Sequence, residues 1–172
     1  MLIRRKRRAD SAAIRDVHLA AFDRPALAGA LAPEARLVDA LRDDGDVVPA
    51  LSLVAEHDGE VVGHVVCSRA RIGERPSLGL GPIGIRPDRQ RTGIGTALMH
   101  AVIGGADALD EPTIVLLGHP AFYPRFGFEP AVDHGITPPA DWSREHFMVR
   151  RLTAWSPAER GPFHYAPAFS RA

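Results

Sequence analysis

The pair Asp58-Gly59 stands between two β-rich runs, Leu51 to Glu56 and Val61 to Ile72, and an Asp-Gly step in that setting signals a tight hairpin. A hairpin of two such strands places a sheet at the centre of the chain. Leu78 to Ile85 reads as a third central strand. Its glycines, Gly79, Gly81 and Gly84, weaken a strand but leave backbone open to close approach by another group. Thr113 to Leu117 is too apolar to have a solvent face, which predicts a central strand covered on both sides. Leu2 to Arg5 and Phe147 to Leu152 read as an early and a late strand.

Helical spacing fills the intervals. Asp10 or Ser11 is the expected N-cap of a helix with Ile14, Val17, Ala21 and Phe22 on its apolar face, ending before Pro25. Glu34 to Asp43 repeats the pattern with Leu37, Val38 and Leu41, and Asp43-Asp44-Gly45 provides the stop. Gly93 to Gly104 predicts a third helix with Ile94, Leu98, Ala101 and Val102 inward, and Pro120 to Phe126 suits one or two helical turns. With 172 residues, 45% of them hydrophobic and 24% charged, and no internal repeat, the chain fits one mixed α/β domain.

The charge balance narrows the function classes. Twenty-one Lys and Arg cancel twenty-one Asp and Glu, so there is no overall field of the kind that gathers polyanions, and no nucleic-acid partner is expected. The basic run Arg4-Arg5-Lys6-Arg7-Arg8 reads as the solvated end of a short strand. The single cysteine, Cys67, rules out an internal disulfide and a Cys-based zinc site, and none of the eight histidines has the spacing of a zinc helix, so no metal is expected. No apolar run approaches the ~20 residues of a membrane helix, and the basic start leads into Ala9-Asp10-Ser11 rather than an apolar stretch; the expected location is cytoplasmic.

The stretch that carries chemistry is Pro87 to Leu98, which passes from a strand end through a Gly-bearing loop into an amphipathic helix. A helix start leaves backbone N–H groups unpaired and concentrates roughly half a positive charge, while glycines remove Cβ atoms that would hold a pyrophosphate away. Arg89 and Arg91 add cationic reach. There is no Lys-Ser or Lys-Thr after the glycines, as a P-loop needs, and no third glycine, as a dinucleotide fold needs.

Gln90, Gly93 and Gly95 match the signature of the GNAT superfamily of acyl-CoA-dependent N-acyltransferases: Gln or Arg, two residues, Gly, one residue, then Gly or Ala. A second segment, Gly118 to Phe128, is similar to the family's later block, in which a Tyr lies four residues before a Gly-Phe pair; Tyr123, Gly127 and Phe128 match. The Leu-Gly-His-Pro and Phe-Gly-Phe forms resemble one branch of predicted N-acetyltransferases. The resemblance spans residues 1 to 152. It implies a single α/β (α+β) domain with a central, mixed, mostly antiparallel sheet of six or seven strands flanked by helices. Residues 153 to 172, with Phe163, Tyr165 and Phe169, are too aromatic for a plain linker and read as an extension packing on the domain or on a second subunit, with a flexible tail as the alternative.

The resemblance also implies an acetyl-CoA-dependent transfer to a primary amine. Pantetheine would lie beside Ile83, Gly84 and Ile85, on a strand splayed from its neighbour. The pyrophosphate would sit on the N–H groups of Arg91, Thr92, Gly93, Ile94, Gly95 and Thr96, with Gln90 and Arg125 among the cofactor contacts. Tyr123 would face the sulfur as the general acid. The amine must be neutral to attack, and with an ordinary pKa near 10.4 this costs about 4–5 kcal/mol at pH 7 unless a group lowers its pKa or accepts its proton. The strand where many relatives carry a Glu holds no carboxylate here; His64, His119 and Glu56 are the alternative proton acceptors.

Cys67 admits two readings, a small buried hydrophobe or an S-acyl carrier in a two-step transfer. A non-catalytic acyl-CoA-binding module is the rival from another class. Acceptor choice is expected in the loops Phe22 to Pro33 and Val132 to Arg144, and the chain is expected to be a monomer or homodimer.

Overall fold

The computed structural model describes residues 1–23 and 32–171. Three helices, α1 (Ser11–Ala21), α2 (Pro33–Asp43) and α3 (Ile94–Ala108), surround a mixed sheet. Its main strands are β1 (Leu2–Arg5), β2 (Val47–His57), β3 (Glu60–Ile72), β4 (Arg75–Ile85) and β5 (Thr113–Leu117). Then follow β6 (Glu129–Pro130), β7 (Ile136–Thr137), β8 (Phe147–Arg151) and β9 (Gly161–His164). The strand order is β1-β2-β3-β4-β5-β8-β6, with β9 pairing to β3 and β7. All pairings are antiparallel except β4 with β5 and β7 with β9.

The hairpin forms as expected, with Asp58 and Gly59 both at positive φ in the turn and His57 opposite Glu60. β2 starts earlier than its β-rich run because the register breaks between Val47 and Ser52, and this irregularity accommodates Pro49, which has no N–H to give a ladder. α3 continues past Gly104. The reason is close packing: a Cβ on Gly105 would stand 3.0 Å from Leu51 Cδ2, so the glycine brings helix and sheet together rather than stopping the helix.

α3 packs one face of the sheet, where Leu98, Met99 and Val102 meet Leu51, Val65 and Cys67 in the largest core cluster. α1 and α2 cover the other face through Ile14 and Val38 against Val54 and Val66. Expected positions Ala21 and Phe22 are only half-buried, whereas His18, one turn after Ile14, is fully buried. Arg4 ties the outer strands to the start of α1 by ion pairs of 2.7 Å to both Asp10 and Glu56.

The late segment is woven into the sheet. Phe163 of β9 pairs with Ile72 of β3, is fully buried, and lies 5.9 Å from the ring of Phe147. Tyr165 stacks on Phe169 at 4.1 Å and presses on β4 at Gly79, where a Cβ would come within 2.7 Å of its ring. A Cβ on Gly84 would come within 2.7 Å of His18 Nδ1. Two of the three strand glycines therefore admit side chains of this same chain. The substitution Gly79→Ala should lower stability by about 1–3 kcal/mol, a fall of several degrees in Tm, through overpacking against Tyr165. An unchanged Tm would show that the ring does not bear on that strand.

Candidate active site

β4 and β5 run together for only two residue pairs, Leu78 with Ile114 and Gly79 with Val115. Beyond them β4 stays on β3, with Ile83, Gly84 and Ile85 opposite Val65, His64 and Gly63, while β5 continues beside β8 as far as Leu117. The divergence begins at Gly81-Pro82, where β4 carries an extra residue relative to β3, Gly81 has a φ of +146° and Pro82 has no N–H to donate. The backbone from Ile83 to Ile85 is left without a strand partner on its β5 side. A cleft of about 710 Å³ opens in that gap.

One wall of the cleft is the start of α3. Gly93 caps the helix at a φ of +88°, in the left-handed region that suits glycine, and no side chain caps the first turn. Among the described residues no side chain caps these N–H groups, which face a negative ligand favourably. Gly95 lines the cleft, and a Cβ there would meet only ordinary contacts at 3.6 Å or more, so its absence adds room. Arg89, Arg91, Gln90 and Thr96 also line the wall. Gln90 Nε2 donates to the Ile85 carbonyl at 3.1 Å, and Thr92 Oγ1 donates to the Arg89 carbonyl at 2.6 Å, so both side chains brace the loop. Ile94 is buried in the core, leaving only its N–H for a ligand.

The opposite wall is the turn after β5. A Cβ on Gly118 would overlap the Tyr123 ring, so that glycine makes the place where Tyr123 lies. The ring packs edge-on to Phe122 and Phe128, at 5.0 and 5.8 Å between centroids, and burial pushes its hydroxyl up to about 12. Burial thus favours the neutral phenol over the phenolate at Tyr123. Arg125 holds the turn by donating to the carbonyls of Phe122 and Ala121, both at 3.0 Å, and lines the cleft.

Around one cleft the chain thus brings a divergent strand pair, an uncapped helix start and a partly buried tyrosine, and known proteins resemble it in sequence and fold. Residues 49–130 match the model of the acetyltransferase (GNAT) domain. YjhQ of Escherichia coli strain K12, by name an uncharacterized N-acetyltransferase, is 36% identical over 155 residues, covering 86% of this chain and 82% of that protein. The chain belongs to the GNAT acetyltransferase family. The crystal structure of YhbS, a GNAT N-acetyltransferase from Escherichia coli, in complex with CoA superposes with a TM-score of 0.86 at 27% identity, covering 99% of this chain and 92% of that one. A GNAT acetyltransferase from Brucella melitensis in complex with acetyl-CoA does so at 0.78 and 34% identity, covering 98% and 97%.

This GNAT domain separates the expected proton acceptors. Only His119 lines the cleft; its Nδ1 accepts from the Ala121 N–H at 3.2 Å. Glu56 is held by Arg4. His64 is fully buried, with Nδ1 2.9 Å from His18 Nε2 and Nε2 3.0 Å from Ser52 Oγ. Cys67 does not reach the cleft: its thiol is fully buried in the core under α3, and burial raises its pKa far above the ordinary thiol range, the reverse of what an acyl carrier needs. Alternation along β3 holds, with Val65 and Cys67 under α3 and Val66 on the other face, but alternation alone does not say which face is which. Of the loops expected to choose the acceptor, residues 24–31 lie outside the described residues, while Trp142 of the second lines an adjoining cavity.

His18 escaped the sequence reading although its spacing from Ile14 places it on the apolar face. Burial alone lowers its pKa to about 4, and burial with the neighbouring His18 lowers that of His64 well below the ordinary value. The folded state thus holds both rings neutral, while the unfolded chain protonates them near 6.5. Their contribution is complete above pH 6.5 and is lost as pH falls toward 4. Urea unfolding from pH 7 to 5 should show a loss of about 2 kcal/mol from His18 alone, reduced in a His18→Gln variant. A flat profile would show that the pair is not held neutral.

Proposed function

We propose that the chain moves an acetyl group from acetyl-CoA to a primary amine by direct transfer. The observation that supports this most is the meeting, in one cleft, of unpaired β4 backbone, an uncapped helix start and the Tyr123 hydroxyl. Ile83 to Ile85 present the backbone that pairs with the pantetheine amides, and the N–H groups at 91–96, with Arg89, Arg91 and Arg125 nearby, receive the pyrophosphate. The thioester supplies an activated acetyl carbon.

The residues then have separate tasks. The cleft aligns a neutral amine with that carbon; the N–C bond forms as the C–S bond breaks, and Tyr123 delivers its proton to the leaving sulfur. The proton released by the nitrogen leaves through His119 or solvent and restores the balance. Direct transfer needs no protein nucleophile, and the burial of Cys67 gives the two-step route no support.

Release of CoA from acetyl-CoA should accelerate when a primary amine acceptor is added to the purified protein. Tyr123→Phe should lower kcat by about 100-fold with little change in the KM for acetyl-CoA. Because Tyr123 is held near 12, wild-type kcat should show no basic decline up to pH 10. Full kcat in Tyr123→Phe would remove Tyr123 as the acid, and acetyl-CoA binding without acceleration by any amine would favour the binding-module reading.

A further inference from the structure

The turn that leads from β4 to α3 carries three arginines and one acid in six residues: Arg86, Asp88, Arg89 and Arg91. Arg89 and Arg91 line the cleft, whereas Arg86 and Asp88 line a separate groove beside α1. Arg86 is fixed at its backbone, whose N–H donates to the Val62 carbonyl at 2.9 Å just past the end of β4. Its guanidinium then grips two acids. Nε and Nη2 donate to the two carboxylate oxygens of Asp88 at 2.9 and 2.7 Å, and Nη1 donates to Glu60, next to the hairpin turn, at 3.0 Å. Arg89 is held differently. Its Nε stands 3.5 Å from Asp88 Oδ2, is buried and makes no hydrogen bond, and among the described residues no other acid comes within ion-pair distance of Arg89.

Asp88 adjoins the wall that receives an anion, so its choice of partner decides how much positive charge that wall presents. A carboxylate free of Arg86 would turn to Arg89, which already stands beside it, and would cancel the charge there. Arg86 prevails through geometry: a planar guanidinium meeting both carboxylate oxygens makes a stronger and better oriented pair than one Nε at 3.5 Å. Glu60 adds to this by holding the third nitrogen from the β3 side. We propose that Arg86 is a positioning residue for the cofactor: by occupying Asp88 it leaves the Arg89 guanidinium free to meet the pyrophosphate of acetyl-CoA. The inference rests on the acetyl-transfer reading above and extends it to a residue outside the cleft.

The test is calorimetric titration of the full chain and its variants with acetyl-CoA in about 0.15 M salt, where distant charges are screened. The pairs of Arg86 are partly exposed, so the effects are those of one surface ion pair. Arg86→Gln should raise the Kd for acetyl-CoA about fivefold. Adding Asp88→Asn to it should bring Kd back to within about twofold of the wild type, which a merely structural brace would not do. Arg89→Gln should weaken binding by about the same factor, and Arg86→Gln added to that variant should weaken it no further. Asp88→Asn alone keeps every arginine and should bind at least as tightly as the wild type, a reading that stands whether or not the Arg86 variants fold. An unchanged Kd in Arg86→Gln, a loss that persists when Asp88→Asn is added, equal losses from Arg86→Gln with and without Arg89, or weaker binding by Asp88→Asn would each overturn the role of Arg86 while leaving the cofactor reading standing. A wild-type chain that does not bind acetyl-CoA would overturn both.

Discussion

β4 can leave β5 only if the backbone groups the two strands would have shared find other partners, since a buried amide without a partner costs free energy comparable to a lost hydrogen bond. Two features make the parting possible. Pro82 contributes no N–H, and Tyr165, which presses on β4 at Gly79, stands beside the end of β5 at Leu117. The groups from Ile83 to Ile85 open onto the cleft, where a ligand with amides of its own can pair with them. The sheet thus keeps nearly all of its ladder and gives up pairing beside the cleft.

The rest of the site is arranged around that gap. On one side α3 begins at a left-handed glycine with its first turn uncapped, and on the other Gly118 gives up a side chain so that Tyr123 can lie across the end of β5. The late segment completes the arrangement. Tyr165 reaches β4 at Gly79 and β5 at Leu117, the two strands that separate, and with Phe169 it becomes a wall of the adjoining cavity. His18 meets β4 at Gly84 from the same face, the one that α1 and α2 cover.

The elements whose patterns are local were legible in the sequence. The hairpin at Asp58-Gly59, the apolar strand Thr113–Leu117 and the Gly93-Gly95 helix start follow from turn chemistry, burial and spacing within a few residues. The two-residue strands β6 and β7 are too short to carry a period. What β9 becomes depends on pairing with Ile72, 91 positions earlier than Phe163, which no local pattern displays. The glycines of β4 show why position alone is ambiguous: spacing reveals that something approaches the backbone, but only the packed structure shows that at Gly79 and Gly84 it is Tyr165 and His18. Cys67 was open for a related reason, since alternation puts it on the same side as Val65 without saying that this side is covered by α3.

The central claim, that the parted strands and the α3 start form one acyl-CoA cradle, is tested most directly by calorimetric titration of the protein with acetyl-CoA, with ATP and NAD titrated in parallel. The account predicts saturable one-to-one binding of acetyl-CoA, with ATP and NAD failing to saturate over the same concentrations. No saturable binding of acetyl-CoA, or equal binding of ATP, would contradict it.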